Sequence, residues 1–226
     1  VLEIRELSAV QKGVTGLGGL EHLVNLEELY LFKNEITDLG PLKSLKKLKK
    51  LDLSDNQIEE LDPLKELVNL RMLNLAHNNI RHIKEIANFT NLKELILSNN
   101  NIFDISSLKG LSSLTKLVLT DNRAIKEISS LAGLVNLRYL SLNNTSIKNI
   151  SSLRGMTKLG KLYIANNSIT DLAPIREINI KSKLDIEANK MCIKNTSGIC
   201  RANYSIVKSL EKSGTTVYWE NGNNIN

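Results

Sequence analysis

The phrase LxxLxLxxNxI returns along this chain at an almost constant interval, and such an interval restricts the fold more than any other feature of the sequence. It reads Leu26, Leu29, Leu31, Asn34, Ile36, then Leu48, Leu51, Leu53, Asn56, Ile58, then Leu70, Leu73, Leu75, Asn78, Ile80. Leu92, Leu95, Leu97, Asn100, Ile102 follow, then Leu114, Leu117, Leu119, Asn122, with further units starting at Leu137 and Leu159. Successive starts lie 22 residues apart, except for one step of 23 between Leu114 and Leu137. One step back from Leu26 falls on Ile4, with Leu7, Ala9 and Val14 in phase, and one step forward from Leu159 falls on Lys181, with Leu184, Ile186 and Asn189 in phase. Each unit adds three apolar positions, such as Leu39, Leu42 and Leu45, or Ile105, Leu108 and Leu111.

A unit this short cannot bury its own apolar side chains, but a stack of such units buries them against one another. The LxLxx stretch alternates with period two, so it predicts a short strand with leucines inward and intervening residues outward. Pro41, Pro63 and Pro174, the only prolines, fall at one phase of the repeat. Asp62 precedes one of them, and Ser106, Ser129 and Ser151 hold the preceding position in other units. Proline after a Ser or Asp cap predicts a helical start there, of 3₁₀ type because the segment is short. The period therefore predicts an α/β solenoid: a right-handed horseshoe of about eight coils with a parallel concave sheet and short 3₁₀ turns on the convex side. The solenoid is expected over residues 1–180, and a last partial repeat with a helix–strand cap over residues 181–226.

The Asn after each strand stands where the chain turns, and its amide can both donate to and accept from backbone groups left unpaired inside the coil. Asn34, Asn56, Asn78, Asn100, Asn122, Asn167 and Asn189 are expected to form such a ladder. Two neighbouring departures interrupt it: an extra residue within Asn122-Arg123-Ala124-Ile125, and Thr145 at the next ladder position.

In the last segment Ile199, Asn203, Ile206, Val207 and Leu210 have helical spacing, Gly214 is a stop, and Thr215 to Trp219 read as a strand. Such a cap covers the final coil, and Tyr218 and Trp219 read as its packing. Cys192 and Cys200, the only cysteines, leave two readings open: a disulfide, which we favour, or two reduced, half-buried thiols. Zinc is not expected, because no other Cys or His lies nearby in sequence.

The units resemble the bacterial, internalin-like class of leucine-rich repeats and the related class of eukaryotic phosphatase regulators. The shared phrase stands here as LVNLEELYLFKNEITDLGPL and LGKLYIANNSITDLAPI. The resemblance covers roughly residues 1 to 190. The end IVKSLEKSGTTVYW looks like the short helix–Gly–strand ends of bacterial repeat proteins, and the Pro-Tyr-Arg phrase of the eukaryotic cap is absent. The helical amino-terminal cap of internalins proper is not visible. The resemblance implies a surface or secreted bacterial protein that contacts host molecules. The alternatives are a cytoplasmic regulatory scaffold and an architectural segment of a larger surface protein.

The expected activity is binding of a protein partner on the concave face. Outward positions name Tyr30, Phe32, Met72, Ile96, Val118, Tyr139 and Tyr163 as the ligand-binding set. Met72, Ile96 and Val118 are expected to form one exposed apolar strip. No enzyme is expected: His22, His77 and His82 fall at separate phases, and no GxSxG, Walker or HExxH phrase occurs. No cofactor, metal or nucleic acid is expected, since the formal charge is only +6 and the lysines mix with acidic residues. The cluster Lys43, Lys46, Lys47, Lys49, Lys50 reads as a solvated face. No apolar run is long enough to span a membrane, and a monomer is expected. The chain begins at Val1, inside a repeat, so a processed or trimmed start is expected, and the missing leader says nothing about secretion. The seven Asn-x-Ser/Thr triplets, at Asn88, Asn143, Asn144, Asn149, Asn166, Asn195 and Asn203, read as chance sequons of an Asn-rich bacterial chain.

Overall fold

The computed structural model describes residues 3–178, 180, 182–189 and 198–219. Ten three-residue strands form one sheet: β1 (Glu6–Ser8), β2 (Glu28–Tyr30), β3 (Lys50–Asp52), β4 (Met72–Asn74), β5 (Glu94–Ile96), β6 (Lys116–Val118), β7 (Tyr139–Ser141), β8 (Lys161–Tyr163), β9 (Lys183–Asp185) and β10 (Thr216–Tyr218). They stack in chain order, every pair parallel, so the sheet is an open ribbon and the chain a horseshoe-like solenoid. The register pairs each inward leucine with its equivalent one coil away: Leu7 with Leu29, Leu29 with Leu51, and so on to Leu184 with Val217. Two strands exceed the sequence estimate of about eight, because β1 and β10 extend the sheet beyond the coils that carry the full phrase. Nine steps of about 4.8 Å make the ribbon about 43 Å long. The sheet runs across the expected boundary at residues 180 and 181 without a break in register.

The core is a column of leucines and isoleucines with almost no solvent contact. Leu26, Leu29, Leu31, Ile36, Leu39, Leu42 and Leu45 of one coil are all 0–2% exposed, and their equivalents recur down to Ile180. Eight short 3₁₀ turns line the convex side among the described residues. Proline takes their second position rather than the first, as in Gly40–Ser44, Asp62–Leu64 and Ala173–Ile175.

The capping residue also differs from expectation. Ser106, Ser129 and Ser151 are themselves the first residues of their turns and cap nothing. The cap side chain stands two residues earlier: Asp38 accepts from the Gly40 N–H at 2.8 Å, Asp104 from Ser106, Asn149 from Ser151 and Asp171 from Ala173. An Asx side chain reaches the amide two residues on without disturbing the tight turn.

The carboxyl-terminal cap is one α-helix, α1 (Gly198–Lys212), followed by Gly214 at φ 89° and by β10. Its inward side buries Ile206, Val207 and Leu210. Asn203, fully buried, accepts from the Leu172 N–H and donates to the Thr170 carbonyl, which ties the helix to the coil below. A fully buried amide cannot carry a sugar, so this sequon is a chance one. Ile199, expected on the inward face, is 49% exposed in the first turn. Cys200 is disulfide-bonded, while its expected partner Cys192 lies outside the described residues.

Candidate functional site

The concave face is built by the outward positions of the ten strands, and the turns beyond the strands fix its edge. The residue before each ladder position adopts a left-handed backbone: Lys33, Asp55, His77, Asn99, Asp121, Asn144, Asn166 and Ala188 all have φ between 51° and 61°. That conformation reverses the chain and turns the next side chain inward, where it meets carbonyls of two coils. Asn56 donates to the Leu31 carbonyl of the coil before it and to Leu53 and Ser54 of its own, and its Oδ1 accepts from the Ile36 N–H. Asn34, Asn78, Asn100, Asn122, Asn167 and Asn189 make equivalent bonds.

The two departures noted in the sequence are one compensated feature. In most coils the backbone amide two residues after a ladder Asn donates to the Asn of the next coil, as Ile102 does to Asn122. The extra residue lets Ile125 donate instead to the Asn122 carbonyl of its own coil, at 3.1 Å. No acceptor is then needed from the next coil, and Thr145 suffices there, its hydroxyl bonding with the Leu142 carbonyl and with Asn167.

Of the expected binding residues, Tyr139 and Tyr163 come together. Their rings lie 5.3 Å apart, tilted by 35°, on adjacent strands. Lys116 Nζ stands 6.0 Å from the Tyr139 ring centre. Lys183 Nζ stands 5.2 Å from the Tyr163 ring and 4.3 Å from Tyr218. Tyr218 therefore belongs to this face: it pairs in register with Asp185 and points outward, while Val217 points into the core and Trp219 packs on it. From the sequence Tyr218 reads as cap packing, because nothing in the chain says that β10 joins the same sheet.

The expected apolar strip is corrected. Ile96 and Val118 face each other in register, but Met72 sits in the other outward column between Lys50 and Glu94, and all three are half-buried rather than exposed. Tyr30 is five strands away from Tyr139, and its hydroxyl donates to Glu28 at 2.6 Å. That bond pushes the Tyr30 hydroxyl up to about 12 and holds the Glu28 carboxyl below its ordinary range. Phe32 lies half-buried beyond β2. The basic cluster divides: Lys43 is in a convex turn, Lys49 pairs with Glu27, and Lys50 pairs with Glu28 at 2.9 Å. The histidines stay apart, His22 in a convex turn, His77 beside Asn99, and His82 edge-on to Phe103.

Burial raises the Tyr163 hydroxyl and also the Asp185 carboxyl, which the Glu187 N–H only partly offsets. The sign follows. Well below its ordinary range Asp185 is neutral in folded and unfolded chains alike, and above its raised folded value the charge is penalised only in the folded state. Asp185→Asn should therefore raise the urea midpoint at pH 7 and leave it unchanged at pH 3. A lower midpoint at pH 7 would contradict this.

The family profile "Leucine Rich repeats (2 copies)" matches residues 24–66, 46–91, 68–109, 90–133 and 135–177. A solved internalin (InlF) of Listeria monocytogenes strain 4b F2365 is 32% identical over 98% of this chain and 68% of its own, with a TM-score of 0.75. The chain belongs to the leucine-rich repeat family and is internalin-like. Internalin C2 of the same strain is 33% identical over 96% of this chain and 80% of its own, with a TM-score of 0.67. At 24% identity and a TM-score of 0.68, the ectodomain of the Arabidopsis thaliana receptor kinase GASSHO1/SCHENGEN3, solved in complex with CASPARIAN STRIP INTEGRITY FACTOR 2, shares the fold over 78% of this chain and 23% of its own. No match is found among curated protein sequences. An internalin-like repeat array of this kind is a protein–protein interaction module. Among the described residues no helix is long and apolar enough to cross a membrane, and no group of three His, Cys, Asp or Glu residues could hold a metal ion.

Proposed function

We propose that this chain is a secreted or surface protein of a bacterium that binds a host protein through its concave face, with Tyr139 and Tyr163 at the centre of the contact. The observation that carries the reading is the tilted tyrosine pair on adjacent strands, bordered by lysines and placed where folding makes no demand for an aromatic side chain. Tyrosine is enriched at interface hot spots because it offers a large, rigid, amphipathic contact at small entropic cost. Internalin relatives favour the bacterial assignment. The disulfide at Cys200 favours an oxidising compartment over the cytoplasm, and so disfavours an intracellular scaffold.

The test is binding of the labelled chain to the surface of cultured animal cells. Tyr139→Ala with Tyr163→Ala should weaken binding by about tenfold or more, as loss of two hot-spot side chains implies, with the urea midpoint nearly unchanged. Unchanged binding, or a loss confined to Lys43→Ala with Lys46→Ala on the convex side, would overturn the assignment.

A further inference from the structure

The concave face is electrically polarised along the solenoid. On β1–β5 the outward strand positions carry Glu6, Glu28, Asp52 and Glu94 against Lys50 alone, a net charge of −3. On β6–β10 they carry Lys116, Lys161 and Lys183 against Asp185 alone, a net charge of +2. The positions just before the strands keep the contrast. Arg5, Lys49, Arg71 and Lys93 against Glu27 bring the first half to neutrality, and Arg138 raises the second half to +3.

Within the strands the cations of the two halves are engaged differently. In the first half the one strand cation, Lys50, is held by Glu28, while just before the strands Arg5 and Lys49 share Glu27 and the exposed Arg71 and Lys93 make no ion pair among the described residues. In the second half Lys116 reaches Glu94 only at 3.5 Å, and Lys183 lies over two tyrosine rings. Arg138 and Lys161, both exposed, have no carboxylate within ion-pair reach among the described residues. A cation that spends nothing on an internal partner is free to meet an external one. A focused field of one sign raises the encounter rate with the opposite charge and disfavours like-charged partners.

We infer that the β6–β9 end of the concave face, where Lys116, Lys161 and Lys183 lie beside Tyr139 and Tyr163 and Arg138 stands just before β7, docks an acidic segment of a protein. The inference rests on the concave-face reading above. Two features select a protein segment over a polysaccharide or a nucleic acid. Ile96 and Val118 pair in register at the border of the cationic patch and are half-buried, so the matching partner carries apolar side chains beside its carboxylates. Asp185 and Glu94 also lie within or against the patch, and a densely charged polymer laid along it would meet them. Carboxylates spaced by apolar residues can thread between these positions. The neutral first half gives such a partner no reason to bind in the reverse sense.

The probe is a fluorescein-labelled twelve-residue peptide of Glu and Leu in a 2:1 ratio, compared with its Lys/Leu counterpart and with a heparin-derived oligosaccharide. The acidic peptide should bind and the basic one should not. Its affinity should fall about tenfold between 50 and 200 mM salt, because exposed charges several ångströms apart are screened over that range. Arg138→Glu with Lys161→Glu should weaken it about tenfold or more, while Lys43→Glu with Lys46→Glu on the convex side should change it less than about twofold. Urea midpoints of both variants check that they fold. If Tyr139→Ala with Tyr163→Ala weakens the peptide but salt and charge reversal do not, the concave face stands and the acidic partner is overturned. No binding at 50 mM salt, or loss only in the convex variant, overturns the inference directly. Heparin binding tighter than the peptide through Arg138 and Lys161 overturns it in favour of a glycan.

Discussion

Replacing Leu73 by alanine should lower the unfolding free energy by about 2–5 kcal/mol, the range for large-to-small changes in a packed core. Leu73 is fully buried and stands in β4 between Leu51 and Leu95, so its side chain packs against equivalents on both sides. The stacking explains why the upper part of the range is expected. A cavity in a globular core can shrink when neighbours move in from several directions. Here the neighbours on either side are locked by their own strand pairing and cannot approach without shifting a coil. In a quasi-one-dimensional array the damage is also an interface defect, since coils on either side are coupled only through this layer. Urea unfolding measures both effects: the midpoint should fall, and a second, earlier transition should appear if the array splits at β4. A midpoint equal to wild type would mean that the leucine column does not hold the coils together.

Asn78→Ala should cost about 1–3 kcal/mol, although it removes little apolar surface. The Asn78 amide donates to the Leu53 carbonyl at 3.0 Å and to Leu75 and Ala76 at 3.2 Å, and its oxygen accepts from the Ile58 N–H at 2.9 Å. Alanine strands the buried Ile58 amide away from water and leaves the Leu53 carbonyl to the Asn56 amide alone, and an unsatisfied buried group costs far more than the net value of the bond it loses. The comparison is Thr145→Ala. Its coil has no amide waiting, because Ile125 bonds within its own turn, so the loss should be the smaller of the two. Equal losses at both positions would refute the compensation between the insertion and the threonine.

The repeat made the fold legible because one period encodes two independent demands. The leucines at Leu29, Leu51 and Leu73 must point inward, and the Asn at Asn34, Asn56 and Asn78 must serve the turns, so the same spacing fixes both strand and coil. The outermost strands of the sheet were less legible, since the sequence drifts there from the repeat phrase. β1 and β10 enlarge the sheet, yet neither carries the full phrase. The convex caps stand two residues before the positions that the sequence suggests, because Asp104 and Ser106 are equally good capping types and only the backbone path selects between them.

For the binding face, register gave the outward columns, but the sequence could not say which columns touch. Met72 and Ile96 are both apolar and both outward, yet they occupy different columns. Tyr139 and Tyr163 also occupy different columns, and their rings still meet because long side chains reach diagonally across adjacent strands.

The most direct test of the account is a positional cross-linking experiment. A photo-reactive phenylalanine analogue is placed at position 163 on the concave face and, separately, at position 109 just beyond a convex turn. Each labelled chain is then irradiated on the surface of animal cells to which it has bound. A discrete protein adduct is expected from position 163 that disappears when excess unlabelled chain is added, and none from position 109. A competed adduct from position 109, with none from position 163, would contradict it.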